Sequence, residues 1–324
     1  MGWGRGVVAV GTVVLWLGLL LEPETALRVW WGGIVPALPA LWMVAPAVWR
    51  SHCPLAVLEI ASGPRSGRRV DATGSVVRGC LGIGLFALLV PARPLLFDRS
   101  GVSLAAALAA AALAAALRGR THAVRAGFCN TLCPFGAVER LSGQRPLFHA
   151  AAAHWTTCEG CTARGCPDVA GAKAMRQLLG PVRDGLAWLR RPHGVFAAGM
   201  PGFVVGYALR GGEPSWAGAY LGPGIGAAAS WLLVLGISAL VPASSRRVPP
   251  VLAAMSALAF YGLVAPAAVS TWDVRGLATL VRVLGGCVIV AWILGWRPPT
   301  APGRVSPESA RGGVSLPVLR TQPG

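Results

Sequence analysis

Charge is what this sequence is short of. Only 13% of its residues are Asp, Glu, Lys or Arg, where a soluble domain carries roughly 25%. Apolar runs close to membrane-spanning length accompany that shortage, and together they read as an integral membrane protein. Acids are scarcer still. The twelve Asp and Glu residues all fall outside the apolar runs. The intramembrane carboxylate relay of a pump or proton-coupled transporter is therefore missing. The five histidines, His52, His122, His149, His154 and His193, also lie outside the runs, which excludes a bis-histidine haem within the bilayer. No catalytic base or nucleophile stands out, so a stand-alone enzyme is not expected. Eight cysteines in 324 residues, with CxxC-type spacing, do not read as a secreted disulfide framework and favour metal.

What the chain has in excess is arginine. The formal net charge is +17, which on a soluble protein would suggest nucleic acid. Here the arginines fill the gaps between apolar runs, the pattern of membrane topology, and no nucleic-acid partner is expected. Eight apolar stretches run roughly over Val7–Leu21, Val29–Trp49, Val77–Leu96, Val102–Leu117, Val195–Leu209, Ala217–Val241, Val251–Val269 and Leu277–Trp296. Several are shorter than the ~20 residues of an untilted span. Val102–Leu117 is nearly all Ala and Leu, the least certain by hydrophobicity although Ala is the best helix former.

Loop charges alternate along this series. Arg50, Arg65, Arg68 and Arg69 occupy one side, with residues 118–192, Arg246, Arg247 and the tail. Glu22, Glu24, Asp98, Glu213 and Asp273 mark the other. The positive-inside rule then puts both termini and the cysteine segment in the cytoplasm of a cell with an inner membrane. The expected fold is all-α and polytopic, with about eight transmembrane helices. Four lie within residues 1–117, four within 193–296, and a cytoplasmic cluster-binding insert spans 118–192. The first stretch is read as an anchor rather than a signal peptide, because no small-x-small cleavage site follows it. The tail 297–324, rich in Pro, Gly, Ser and Arg, is expected to be disordered. Leu178, Leu179, Val182, Leu186 and Leu189 fall on helical spacing. They suit either a helix lying in the cytoplasmic interface or a packed helix of a small subdomain.

Five cysteines crowd one segment, as Cys129-x3-Cys133-Pro134 and Cys158-x2-Cys161-x4-Cys166-Pro167. A sixth, Cys53, begins CPLAVLEIASG, which repeats in CPFGAVERLSG from Cys133. Cys-Pro, a Glu six residues after the cysteine and a closing Ser-Gly match across 80 residues. This reads as a duplicated unit of helix pair and cytoplasmic Cys-Pro turn. The first copy is incomplete, with Trp49 where the second has Cys129. Glu59 and Glu139 are expected on a wet helix face, with pairing to loop arginines as the alternative. Cys80 and Cys287 lie inside spans, where a small buried hydrophobe is the default.

Thiolates are soft ligands, suited to iron–sulfur clusters and to zinc. A short CxxC loop reaches neighbouring irons, and proline after the last cysteine lets a helix begin at the cluster. Zinc more often draws two close pairs without the Cys-Pro ending. These residues resemble the membrane-integral [4Fe-4S] ferredoxin-type proteins. That group includes the membrane subunits linked to periplasmic nitrate reductase, the nitrous-oxide-reductase regulators and the oxidase-assembly iron–sulfur proteins. The similarity covers Trp49 to Val169. It implies a [4Fe-4S] cluster passing electrons at the cytoplasmic face. The sequence departs from that pattern in having one CxxxCP, a lone Cys53-Pro54, and a second motif short of one cysteine. One cluster is therefore expected, held by Cys158, Cys161 and Cys166, with the fourth ligand from Cys133, Cys129 or Cys53.

The leading expectation is a membrane-bound electron-transfer protein. The alternatives are an assembly or maturation factor for a respiratory complex and a membrane scaffold with a structural zinc site. Basic residues outnumber acids across 118–191. This suggests an acidic redox carrier, a ferredoxin or flavodoxin, as partner. Anionic lipid of the bilayer is the competing claimant on those arginines.

Overall fold

The computed structural model describes residues 2–63, 72–122, 127–148, 172, 175–180, 182–210, 215–240 and 247–295. Cys158, Cys161, Cys166 and the tail 297–324 lie outside the described residues. Every regular element among the described residues is helical. In chain order they are α1 (Gly2–Leu21), α2 (Pro23–Val44), α3 (Pro46–His52), α4 (Pro54–Ser62), α5 (Ala72–Leu96), α6 (Gly101–Gly119) and α7 (Gly136–Ser142). A 3₁₀ segment (Val182–Arg190), α8 (Pro192–Ala208), α9 (Trp216–Leu240), α10 (Val248–Trp272) and α11 (Leu277–Leu294) follow.

Six of these are long and apolar enough to cross a membrane: α2, α5 from Gly79, α6, α9, α10 and α11. The apolar part of α1, Gly6–Leu21, and the 17-residue α8 are shorter. The span expected at Val29–Trp49 instead starts at Pro23 and stops at Val44. Ala45 precedes Pro46, whose ring disfavours helical geometry in the residue before it, and Ala45 turns out at φ −150°, ψ 67°. The Ala-rich stretch forms a continuous helix, as its propensity favours.

Apolar side chains sort into two environments. Trp42 and Met43 of α2, Phe86 of α5, Leu141 of α7, Leu252 of α10 and Trp292 of α11 share one buried core. A smaller cluster joins Leu19, Ala26, Phe97 and Leu104. Outside these, α9 turns Leu221, Ile225, Leu232, Leu233 and Ile237 outward. An apolar face of that length is foreign to a water-soluble surface and is what the hydrocarbon of a bilayer asks for. The molecule is a helical polytopic membrane protein.

Helices α8 and α9 meet through small residues. A Cβ on Gly202 would sit 2.0 Å from the Gly226 carbonyl oxygen, and one on Gly206 would sit 2.1 Å from that of Gly222. Gly202-x3-Gly206 faces Gly222-x3-Gly226, and van der Waals contact between backbones joins the two helices. The stretch expected as one helix through Leu178 and Leu189 breaks at Gly180, whose φ of +86° suits glycine alone. Met175, Leu179, Trp188 and Leu189 are fully buried in the main core. The Trp231 indole N–H of α9 donates to the Leu189 carbonyl at 3.0 Å. This segment packs onto the bundle.

Candidate functional site

Each Cys-Pro turn leads into a short helix. Cys53 sits between α3 and α4 at φ −54°, ψ 123°, extended because a proline follows. Pro54, which has no N–H to leave unpaired, then opens α4. Cys133 likewise precedes Pro134, and Phe135 separates that proline from the start of α7 at Gly136. Between Gly127 and Cys133 the chain makes a single tight turn, with the N–H groups of Leu132 and Cys133 both donating to the Phe128 carbonyl, at 2.8 and 3.0 Å. Cys129 and Cys133 line one small pocket with Gly79, Gly82, Asn130, Thr131, Gly136, Ala137, Arg140 and His193.

The helices after the turns are exchanged. Helix α4 of the first copy packs on α6, which leads into the second turn. Helix α7 of the second copy packs on α2, which leads toward the first. A Cβ on Gly63 would lie 2.6 Å from the Gly119 carbonyl oxygen, and one on Gly119 would lie 2.3 Å from that of Glu59. The two backbones therefore touch, and Glu59 is carried beneath the second turn. Its carboxylate, 2% exposed, accepts the backbone N–H groups of Gly127 at 2.8 Å, Phe128 at 2.7 Å and Cys129 at 3.1 Å. Glu139, the equivalent residue of the second copy, reaches back to the first. It accepts from Arg50 Nε at 2.5 Å, with both side chains 11% exposed. The wet helix face expected for the two glutamates is thus overturned. Glu59 closes the loop of the second copy, and Glu139 takes the alternative, an ion pair with Arg50 of the first.

Burial dominates the electrostatics. The Cys129 thiol is pushed well above its ordinary pKa by burial first, then by Glu59, Cys133 and Cys53. Cys133 is pushed up to about 12 by burial, then by Cys53 and Glu139. Cys53, Cys129 and Cys133 therefore stand within electrostatic reach of one another, poorly suited to be thiolates unless a cation joins them. Arg140 is lowered to about 10 by burial and by Arg50, and so keeps its charge at neutral pH. It donates to the Asn130 carbonyl at 3.2 Å and to Asn130 Oδ1 at 2.9 Å. His193, in the first turn of α8, is lowered to about 3 by burial and by Arg140. It is a neutral imidazole whose Nδ1 has no hydrogen-bond partner.

Of the six cysteines singled out in the sequence, the structure gathers Cys53, Cys129 and Cys133. Cys158, Cys161 and Cys166 lie outside the described residues. Among the described residues no three His, Cys, Asp or Glu side chains converge as a single metal ion requires. A cubane makes a different demand, since its four thiolates bind different irons and stand apart from one another. Arg140, one of the basic residues of the 118–191 segment, is 8% exposed and belongs to the interior of the site. Sequence reasoning missed the backbone-accepting role of Glu59, gave the pairing of Glu139 with a loop arginine such as Arg50 only as an alternative, and passed over Arg140 and His193. The matched glutamates of the repeat were the available signal for the first two. Comparison with protein-family models, curated proteins and solved structures returns no match for this chain.

Proposed function

We propose that this chain is a membrane-bound iron–sulfur protein that transfers electrons through a [4Fe-4S] cluster at the cytoplasmic membrane face. Three partly buried thiols, Cys53, Cys129 and Cys133, within electrostatic reach of one another where the two Cys-Pro turns meet, carry the reading. Cys158, Cys161 and Cys166 would hold the cluster, with a fourth ligand from the gathered three. The donor set is all sulfur, which suits iron–sulfur chemistry. When bound, such a cluster takes up and releases one electron at a time. Glu59 fixes the backbone that presents Cys129. Arg140 supplies a buried positive charge beside thiols that must become thiolates. The Arg50–Glu139 pair neutralises the second carboxylate near the site. Eight crossings, with α1 and α8 as the two shortest, would put both termini and this site in the cytoplasm of a cell with an inner membrane. The redox partner fitted to the basic segment is an acidic ferredoxin or flavodoxin.

The test is metal and acid-labile sulfide analysis of anaerobically purified protein, with its visible absorption. Iron and sulfide in equal amounts, lost in Cys161→Ser, is the expected result. Bound zinc without sulfide would overturn the reading in favour of a structural zinc site. Full iron retention in Cys161→Ser would overturn the ligand assignment.

A further inference from the structure

We infer that Arg282 and the bare groove beside it form a binding site for one phospholipid, with the phosphodiester on the guanidinium and an acyl chain in the groove. Helix α11 carries Arg282 five residues after its first residue, Leu277, about 8 Å along the axis. The side chain is exposed on a helix long and apolar enough to cross a membrane. A guanidinium among acyl chains is costly unless a counter-charge, a carbonyl or water meets it. The arginines of two other crossing-length helices have acids. Arg28 of α2 pairs with Glu24 at 3.1 Å, and Arg93 of α5 with Asp98 at 2.7 Å. Among the described residues no acid pairs with Arg282.

What Arg282 has is a carbonyl. Its Nε donates to the Gly262 carbonyl of α10 at 3.3 Å. Pro266, four residues on, has no N–H to return to that carbonyl. The helix widens there, with the Ala265 N–H reaching five residues back to Phe260. Holding Nε fixes the fork and leaves the two terminal amino groups to a bidentate acceptor, for which a phosphodiester has the geometry. The long stem carries the charged head toward the interface, which the exposed Trp272 between α10 and α11 marks. The seat for the chain lies alongside. Gly285 presses α11 onto α10, where a Cβ would fall 2.4 Å from Tyr261 Cγ. Gly286, one turn along from Arg282, has open space where its Cβ would be, and so has Gly262. The two helices thus meet behind a rim without side chains, next to a fixed positive charge. An acyl chain fills such a rim and a phosphodiester answers the charge, and the two together are the chemistry of a phospholipid.

The experiment is photolabelling of the detergent-solubilised full-length protein with phosphatidylglycerol that carries a diazirine in one acyl chain, read by peptide mass spectrometry. Labelling around Gly286 should saturate in the wild type. Arg282→Gln should raise the half-saturating lipid concentration about tenfold, the worth of one charge-assisted hydrogen bond. Gly286→Leu, which keeps the arginine and fills the groove, should raise it as well. Diacylglycerol with the same labelled chain lacks the phosphodiester and should not saturate the segment. An unchanged half-saturation in Arg282→Gln or in Gly286→Leu would overturn the inference and leave Arg282 as a strap on the Gly262 carbonyl. Saturation by diacylglycerol at the same concentration as phosphatidylglycerol would overturn it too. That comparison needs only the wild type, and so decides the matter where a variant fails to fold. None of these outcomes bears on metal binding, so the proposed function stands or falls separately.

Discussion

Glu59 offers the sharpest test of how the site is built. Its carboxylate is 2% exposed and accepts three backbone N–H groups, at 2.7, 2.8 and 3.1 Å. Glu59→Ala leaves those three donors buried without an acceptor. Each orphaned group costs about 1–3 kcal/mol. The sum is an overestimate, because the loop shifts and water enters the vacated space. A net loss of about 3–5 kcal/mol is expected, at the large end for single substitutions. Glu59→Gln keeps the carbonyl that serves Gly127 and Phe128 but turns an amide N–H toward the Cys129 N–H. Loss of charge assistance and that donor–donor contact should cost about 1–3 kcal/mol. Stability is read by thermal unfolding of the detergent-solubilised protein, and the local effect by maleimide labelling of Cys129. The expected order is wild type, then Gln, then Ala in stability, with labelling rising in the same order. An Ala variant within about 0.5 kcal/mol of wild type, with Cys129 as protected as before, would refute the reasoning.

Three further outcomes are expected. Gly226→Ala should destabilise the protein by about 1–3 kcal/mol through overpacking, because its Cβ would meet the Gly202 carbonyl oxygen at 2.2 Å. Gly224→Ala, two residues along the same helix with open space around it, should be neutral or slightly stabilising in the same unfolding assay. A reporter fused after Gly171 should be active only as a cytoplasmic fusion, and alkaline phosphatase activity from that junction would invert the topology. Electron transfer with an acidic ferredoxin or flavodoxin should slow as ionic strength rises and slow again in Arg145→Glu or Arg164→Glu; a salt-independent rate would leave these arginines to lipid headgroups.

The class of the protein was legible because scarce charge and apolar runs are bulk properties that need no partner to interpret. The duplicated Cys-Pro unit was legible for a related reason, since a repeat shows itself by comparing the chain with itself. The surroundings of the cysteines were not. Whether Glu59 meets water or the Gly127–Cys129 backbone depends on α4 crossing α6, and that crossing hangs on Gly63 and Gly119, residues 56 positions apart. His193 looked like a loop histidine because it stands one residue after Pro192 at the edge of an apolar stretch. Its burial comes from α5, through Gly79. The end of α2 was readable in hindsight from Ala45-Pro46, a local signal that the apolar run through Trp49 outweighed. The break at Gly180 was likewise hidden beneath a helical spacing of leucines that the core uses for a different backbone.

The two halves of the repeat also explain why the gathered cysteines are unequal. Where the second copy has Cys129 and Asn130, the first has Trp49 and Arg50. Where the second has Arg140 after its glutamate, the first has Ile60. Trp49 packs edge-on against Trp42 at 6.3 Å, and so makes its turn part of the apolar wall. Arg50 leaves its own copy and neutralises Glu139. In the second copy Arg140 stays home on Asn130, and Glu59 arrives from the first to hold the backbone of Cys129. Both arginines, both carboxylates and two of the three thiols therefore converge on the second turn, while the first keeps one cysteine and supplies support. A symmetric pair of turns would share ligands evenly between the halves. On the proposed reading this pair divides into a presenting half and a bracing half. The fourth ligand of the proposed cluster thus belongs to the second turn, where charge is balanced, before it belongs to Cys53. Serine at Cys53 should then be tolerated with iron retained, and serine at one of Cys129 or Cys133 should not. Iron lost in Cys53→Ser but kept in both of the others would assign the presenting role to the first copy instead.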